Sequence, residues 1–190
     1  MLRSLGLISL VALAGPALAD GIDYNYIEAG YYELDLDDSI IDVDGDGINI
    51  IGSFEVGESM FVRAEYATAD LDFGVDLDEL YIGLGVHTPI GNNADFFGII
   101  NYVSLEASAF GLSEDDDGFG ATVGVRSMVT DTVELAGQIE YIDLSDSGDD
   151  TSFGGSAWYY FSDNFSVGLT ADFSDDITRY GLGARLFFGQ

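Results

Sequence analysis

Between Ile48 and Val56 the chain alternates, with Ile48, Ile50, Phe54 and Val56 on one parity and Asn49, Ser53 and Glu55 on the other. A period of two is the signature of a β-strand with two unlike faces. The same period runs through 60–68, 80–86, 119–125, 133–141, 153–161, 165–173 and 180–188, and more weakly through 24–34 and 96–105, where the facing of the second is left open. No segment sustains a helical period. The connections alternate in kind. Gly57-Glu58-Ser59, Pro89 to Ala94, Thr130-Asp131-Thr132 and Ser162-Asp163-Asn164 are short. Asp37 to Asp46, Asp70 to Asp78, Ser113 to Gly118, Ser145 to Asp150 and the brief Ser174-Asp175-Asp176 are acidic and mostly longer. Counting through predicts about ten strands, with eight as the alternative if segments merge. Most of the clean segments offer about nine residues or more, enough to cross a bilayer at a tilt of roughly 45°.

The two parities differ in a way that selects between β folds. One carries Met60, Val62, Ala64 and Tyr66, Leu80 to Val86, Phe165 to Phe173 and Tyr180 to Phe188 at alternate positions. The other carries Glu55, Arg63, Glu65, Glu79, Arg126, Glu134, Gln138, Glu140, Asp172, Arg179 and Arg185. A charge facing lipid at mid-depth costs about 2–4 kcal/mol for Arg, so this segregation is what a transmembrane barrel needs. A soluble sandwich would turn its apolar parity inward and spread both signs of charge over its surface. Here Lys is absent and the acids gather between the strands. Phe54, Phe61, Phe96, Phe97, Phe161, Phe165 and Phe188 cluster near the short turns, as an interfacial aromatic girdle would. The predicted fold is therefore all-β: a transmembrane antiparallel up-and-down barrel, with short turns on the periplasmic side and acidic loops outside.

The N-terminus and the composition fix the setting. Arg3, the apolar run Leu5 to Leu13 and Ala17-Leu18-Ala19 form a secretory signal peptide, expected to be cleaved after residue 19. Residues 20–190 are then a single outer-membrane β-barrel domain. With no cysteine, disulfides and thiolate metal sites are excluded. After Arg3 only Arg63, Arg126, Arg179 and Arg185 are basic, against 35 acids, which excludes nucleic acid as a partner. Hydrophobic residues at 47% exclude disorder despite the charge.

The candidate chemistry lies in the lumen. Arg63, Arg126, Arg179 and Arg185 share it with Glu65, Glu79, Glu134, Glu140 and Asp172. Buried charges must be paired, and Arg forks take carboxylates bidentately, so a sealing network is the structural reading. A narrow pore with charged rings and a cation-favouring acidic mouth is the functional one. Asp42, Asp44 and Asp46, around Gly45 and Gly47, form a candidate weak Ca²⁺ or Mg²⁺ site at the outer rim. The EF-hand pattern fails because Ser53 stands where its closing acid belongs. The run Glu114 to Asp117 is a second acidic cluster. No cofactor is expected beyond such loosely held Ca²⁺ or Mg²⁺. His87, the sole histidine, has no identifiable catalytic companions, so no enzyme is expected. Trp158-Tyr159-Tyr160 suits interfacial anchoring.

Tyr24 to Tyr31, the acidic Gly/Asp loops, Tyr81-Ile82-Gly83-Leu84-Gly85-Val86 and the closing strand together resemble the outer-membrane β-barrel domain family. They are similar to its small acidic porin-like or OmpA-membrane-domain-like members of xanthomonad type. Gly183-Ala184-Arg185-Leu186-Phe187-Phe188 resembles the barrel-assembly signal of such proteins, although Gly189-Gln190 follow it. The resemblance implies insertion into the outer membrane of a Gram-negative bacterium and contact with lipid and lipopolysaccharide. Delivery would be by periplasmic chaperones and the barrel-assembly machinery. It brings no catalytic signature. It leaves three functions to weigh: a structural or small porin-like barrel, a surface interaction barrel binding cations or envelope and host ligands through its loops, and a barrel hydrolase.

Overall fold

A computed structural model describes residues 22–37 and 42–189; the expected signal peptide, 1–19, lies outside the described residues. The strands are β1 (Tyr26–Asp37), β2 (Asp42–Glu55), β3 (Met60–Leu71), β4 (Val75–Pro89), β5 (Ala94–Ala109), β6 (Leu112–Thr130), β7 (Val133–Leu144), β8 (Gly148–Ser162), β9 (Phe165–Phe173) and β10 (Ile177–Phe187). Each pairs antiparallel with its chain neighbour and β1 pairs with β10, so ten strands close into a barrel without an edge. The ten successive pairings, with bulges at Met128/Thr130 and Tyr160/Ser162, exclude the eight-strand alternative. Among the described residues no helix is long and apolar enough to cross a membrane; the only helical piece is one 3-10 turn at Asp72–Gly74.

The alternation in the sequence becomes two surfaces. Facing outward are Ile27, Ile48, Ile50, Val62, Leu80, Ile82, Leu84, Val86, Ile100, Val123, Ile139, Leu169, Leu182 and Leu186, all exposed on the barrel wall. Two belts of outward aromatics bound this band. Tyr66, Tyr102, Phe119, Tyr141, Phe153, Phe173 and Tyr180 form the outer one, and Phe54, Phe96, Tyr159, Phe161 and Phe188 the inner one. Neighbours within a belt touch edge-on: Tyr102 with Phe119 at 6.2 Å, Phe173 with Tyr180 at 5.7 Å and Tyr159 with Phe161 at 4.9 Å between centroids. Rings at both interfaces are the mark of a barrel seated in a bilayer.

The expected single girdle needs correction. Phe61 and Phe97 share the inner level but point into the lumen, and so do Trp158 and Tyr160 of the triplet expected to anchor at the interface. Period-two facing puts neighbours on opposite faces, so a Phe-Phe or Trp-Tyr-Tyr run cannot all face lipid. The facing left open in β5 is also settled: Phe97, Ile99, Asn101 and Val103 go inside, and Phe96, Ile100 and Tyr102 outside.

The acidic connections are not long loops. Strand lengths run from 9 residues in β9 to 19 in β6, and the ladders carry the acidic segments well beyond the apolar band. Asp44 and Asp46 lie in β2, Glu114 to Asp117 in β6 and Asp149 and Asp150 in β8, leaving tips at 72–74, 110–111, 145–147 and 174–176. Above the membrane the outer face becomes a collar of acids set opposite acids: Asp35 with Asp44, Asp46 with Asp70, Asp70 with Asp76, and Glu106 with Asp115. Like charges so placed repel. The ladder hydrogen bonds and the tight tips nevertheless hold the hairpins together.

The tip of the β5–β6 hairpin is Phe110-Gly111, with φ of 55° and 80°. Two successive positive φ values define a type I′ turn, which favours Asn or Gly at its first position and strains a bulky L-residue. Phe110 is 90% exposed, so little packing is lost when its ring is removed. Phe110→Asn is therefore expected to stabilise the hairpin by roughly 1 kcal/mol, the cost of a left-handed residue, measured as slower amide exchange in 105–116. Faster exchange would mean that the ring holds the tip in place.

Candidate functional site

The lumen is built by the inward parity of all ten strands, and it is filled unevenly. Its periplasmic half is packed. Ile22, Asp23, Tyr24 and Asn25 precede β1 and cross the barrel mouth as a strap. Ile22 packs with Phe97, Ile99 and Met128, and Tyr24 stacks on His87 at 4.2 Å and leans on Phe61 at 4.6 Å. Asn25 fastens the strap by donating to Glu55 from its side chain at 3.0 Å. Strands β4 and β6 admit the two phenylalanines because Gly85 and Gly124 lie against them; a Cβ at either would collide with the ring. Trp158 is admitted in the same way between Gly168 and Gly183. These inward glycines leave room for the rings that close the barrel.

Above the strap a chain of charges crosses the lumen. Arg126 donates to Glu134 twice, Nε to Oε1 at 2.9 Å and Nη2 to Oε2 at 3.0 Å, and its third nitrogen donates to the Asp23 carbonyl at 3.1 Å. Tyr160 adds a 2.6 Å hydroxyl bond to Glu134. From the opposite wall Arg185 donates to Glu28 at 2.7 and 3.0 Å and approaches Glu134 at 3.8 Å. Its guanidinium lies 3.9 Å over the Trp158 ring and 4.2 Å over Tyr26. The strands joined are thus β10 and β1 on one side and β6, β7 and β8 on the other. Two arginines meet two carboxylates, so this floor is neutral, and the bidentate geometry and the ring faces offset the loss of water.

The outer half of the lumen is open. A cavity of about 440 Å³ opens at Ser147, Asp149, Asp150 and Ser174 on the outer rim, narrows past the floor residues Glu28, Glu134, Arg126 and Arg185, and ends against Tyr24, Phe61 and Phe97 of the strap layer. Residues of the periplasmic turns do not line it. Within it Arg179 reaches across from β10 to Glu79 on β4 at 2.6 Å, with its guanidinium 4.5 Å over Tyr32. Arg63 holds Glu65 at 2.6 Å, and Asn49 donates to the same carboxylate at 3.0 Å. Glu140 accepts from Thr122 at 2.9 Å. Among the described residues neither Glu140 nor Asp172 is in an ion pair. Asp172 stands opposite Arg179 in the ladder, but that arginine turns to Glu79 instead.

All nine charged residues singled out from the sequence thus face the lumen, in two layers rather than one network. The pattern missed Glu28, Tyr24, Tyr26, Phe61, Phe97 and Trp158. Glu28 was recoverable, because Tyr26, Glu28, Gly30 and Tyr32 share one parity and the ladder sets Glu28 opposite Arg185. Of the strap, Tyr24 and Asn25 fell within the weakly alternating stretch 24–34, and nothing there marked a segment that leaves the wall to cross the mouth. At the rim, Asp44 and Asp46 lie on the outward face of a regular strand, and Asp42 begins that strand. Among the described residues no group of three or more His, Cys, Asp or Glu is arranged to hold a metal ion. His87 points inward near the periplasmic end, its Nδ1 3.2 Å from Asp95 and its Nε2 3.8 Å from Glu55.

A closed ten-strand barrel with a lipid band between aromatic belts and its charges inside is an integral outer-membrane protein. The chain belongs to the outer membrane protein beta-barrel domain family, whose sequence profile matches residues 5–173. The protein is accordingly placed in the outer membrane of a Gram-negative bacterium. Among solved structures it is similar in fold to an outer membrane channel from Pseudomonas putida F1, with a TM-score of 0.56 at 12% identity over 90% of this chain and 100% of that one. It is also similar to the translocator domain of the autotransporter NalP from Neisseria meningitidis, with a TM-score of 0.53 at 10% identity over 88% and 90%. The beta domain of the Bordetella autotransporter BrkA gives 0.52 at 10% identity over 87% and 100%. No curated protein sequence matches the chain.

Proposed function

We propose that the protein is a porin-like barrel that rests closed, receiving small solutes from outside into a cavity whose periplasmic end is stopped. The observation that supports this reading is the division of the lumen. Its outer half is an open cavity, and its inner half is crossed by Glu28, Arg185, Glu134 and Arg126 and then by the strap at 22–25. A solute passing through must separate buried ion pairs, each costly to break singly. The channel described for the Pseudomonas putida relative fits this reading of the fold. A hydrolase is not part of it, since His87 does not line the cavity but is covered by the Tyr24 ring stacked on it. Refolded protein in a planar bilayer is expected to show no sustained single-channel steps in potassium chloride. Steady steps in the wild-type protein would contradict the closed reading.

A further inference from the structure

The cavity carries more negative charge than its own cations offset. We propose that it is a binding site for a small organic cation bearing primary amino or guanidinium groups, held by Asp172 and Glu140; this rests on the outward-opening cavity described above. The floor is neutral, and in the layer above it Arg63 and Arg179 are each committed to Glu65 and Glu79. Glu140 and Asp172 are left over, on the lumen side of strands that cross the membrane. Ionisable groups in that position are costly unless partnered and mark ligand pathways.

Each of the two acids takes a neutral hydrogen bond from the wall, Glu140 from Thr122 and Asp172 from Gln138, but neither meets a cation there. Gln138, Gly154 and Asp172 stand in one row across β7, β8 and β9, and Glu140 is the next inward residue of β7. A Cβ at Gly154 would collide with Asp172 Oδ1 and crowd Gln138, so the missing side chain is what admits the carboxylate here. Tyr81, Thr122 and Gln138 line the same space, giving an aromatic face and neutral polar groups around the acids. A volume of about 440 Å³ is that of a small-molecule site. The acids do not converge as a metal cage would require, which suits an extended cation whose charged groups are set apart along a chain. The acidic collar and the absence of Lys from the whole chain add a field that draws cations to the mouth.

The test is titration calorimetry of the refolded full barrel with putrescine and spermidine as probes, and with magnesium at matched ionic strength. Saturable diamine or triamine binding is expected, weakened at least tenfold in Asp172→Asn/Glu140→Gln. It should fall far less in Glu106→Gln/Asp115→Asn, which removes two charges of the outer collar and none of the cavity. Gly154→Ala, which displaces Asp172 without altering charge, should also weaken binding, and heat-modifiable migration on a gel checks that each variant folds. Absence of saturable binding, equal affinity in the cavity variants, equal loss in the collar variant, or magnesium binding as tightly as the amines would each overturn the site. None of these outcomes bears on closure, which conductance measures separately.

Discussion

Replacing Glu134 by alanine is expected to destabilise the barrel by about 3–5 kcal/mol, because it leaves a buried guanidinium without its carboxylate. Glu134 is 1% exposed and is the meeting point of Arg126, Arg185 and the Tyr160 hydroxyl. Its loss also releases Arg126, whose remaining hydrogen bond is to the strap carbonyl of Asp23. The floor should therefore loosen and conductance should appear. Arg126→Ala/Glu134→Ala removes both charges of the pair. It is expected to recover part of the stability while conducting more than the single variant, since no orphan arginine is left to fill the gap. Urea unfolding in lipid vesicles and bilayer recording measure the two effects. A Glu134→Ala barrel as stable and as silent as the wild type would show that the floor is not held by this pair.

The second large effect concerns the opposite surface. Leu84 lies in β4 between Val62 and Ile100, midway between the aromatic belts and facing out. Leu84→Arg is expected to cost about 2–4 kcal/mol, the penalty for a guanidinium facing lipid at mid-depth. Gln138→Arg puts the same charge into the lumen beside Asp172 and should cost far less. Equal penalties for the two would contradict the assignment of the faces.

The fold was legible because one physical rule was applied many times. Counting the period-two segments gave about ten strands with eight still open, and the segregation of charge, with all four arginines on one parity, gave the closed sheet and the inside of the barrel. Loop boundaries were not legible. The acidic stretches look like loops in composition, yet they keep their alternation, and above the membrane a ladder can continue wherever its hydrogen bonds are made. The aromatics were half legible. Level along a strand can be estimated from the nearest turn, but Phe61, Phe97 and Trp158 needed the inward glycines Gly85, Gly124, Gly168 and Gly183 to show that the lumen had room for them. Which carboxylate each arginine chooses lay beyond the pattern, since Arg179 passes over its ladder neighbour Asp172 for Glu79 on the far wall. The strap was not legible because the weak alternation from Tyr24 onward reads as the start of a strand, whereas β1 begins only at Tyr26.

That strap and floor make the lumen one-sided, and the chain offers a clean probe of this because it has no cysteine. Thr170 lines the cavity at the level of Tyr32 and Gly181, above Trp158. A Thr170→Cys variant should react with a membrane-impermeant thiol reagent added outside intact cells. It should be spared when the same reagent is presented only from the periplasmic side of purified outer membranes. Reaction at equal rates from both sides would show a continuous water path and contradict the closed floor; reaction from the periplasmic side alone would reverse the cavity's direction.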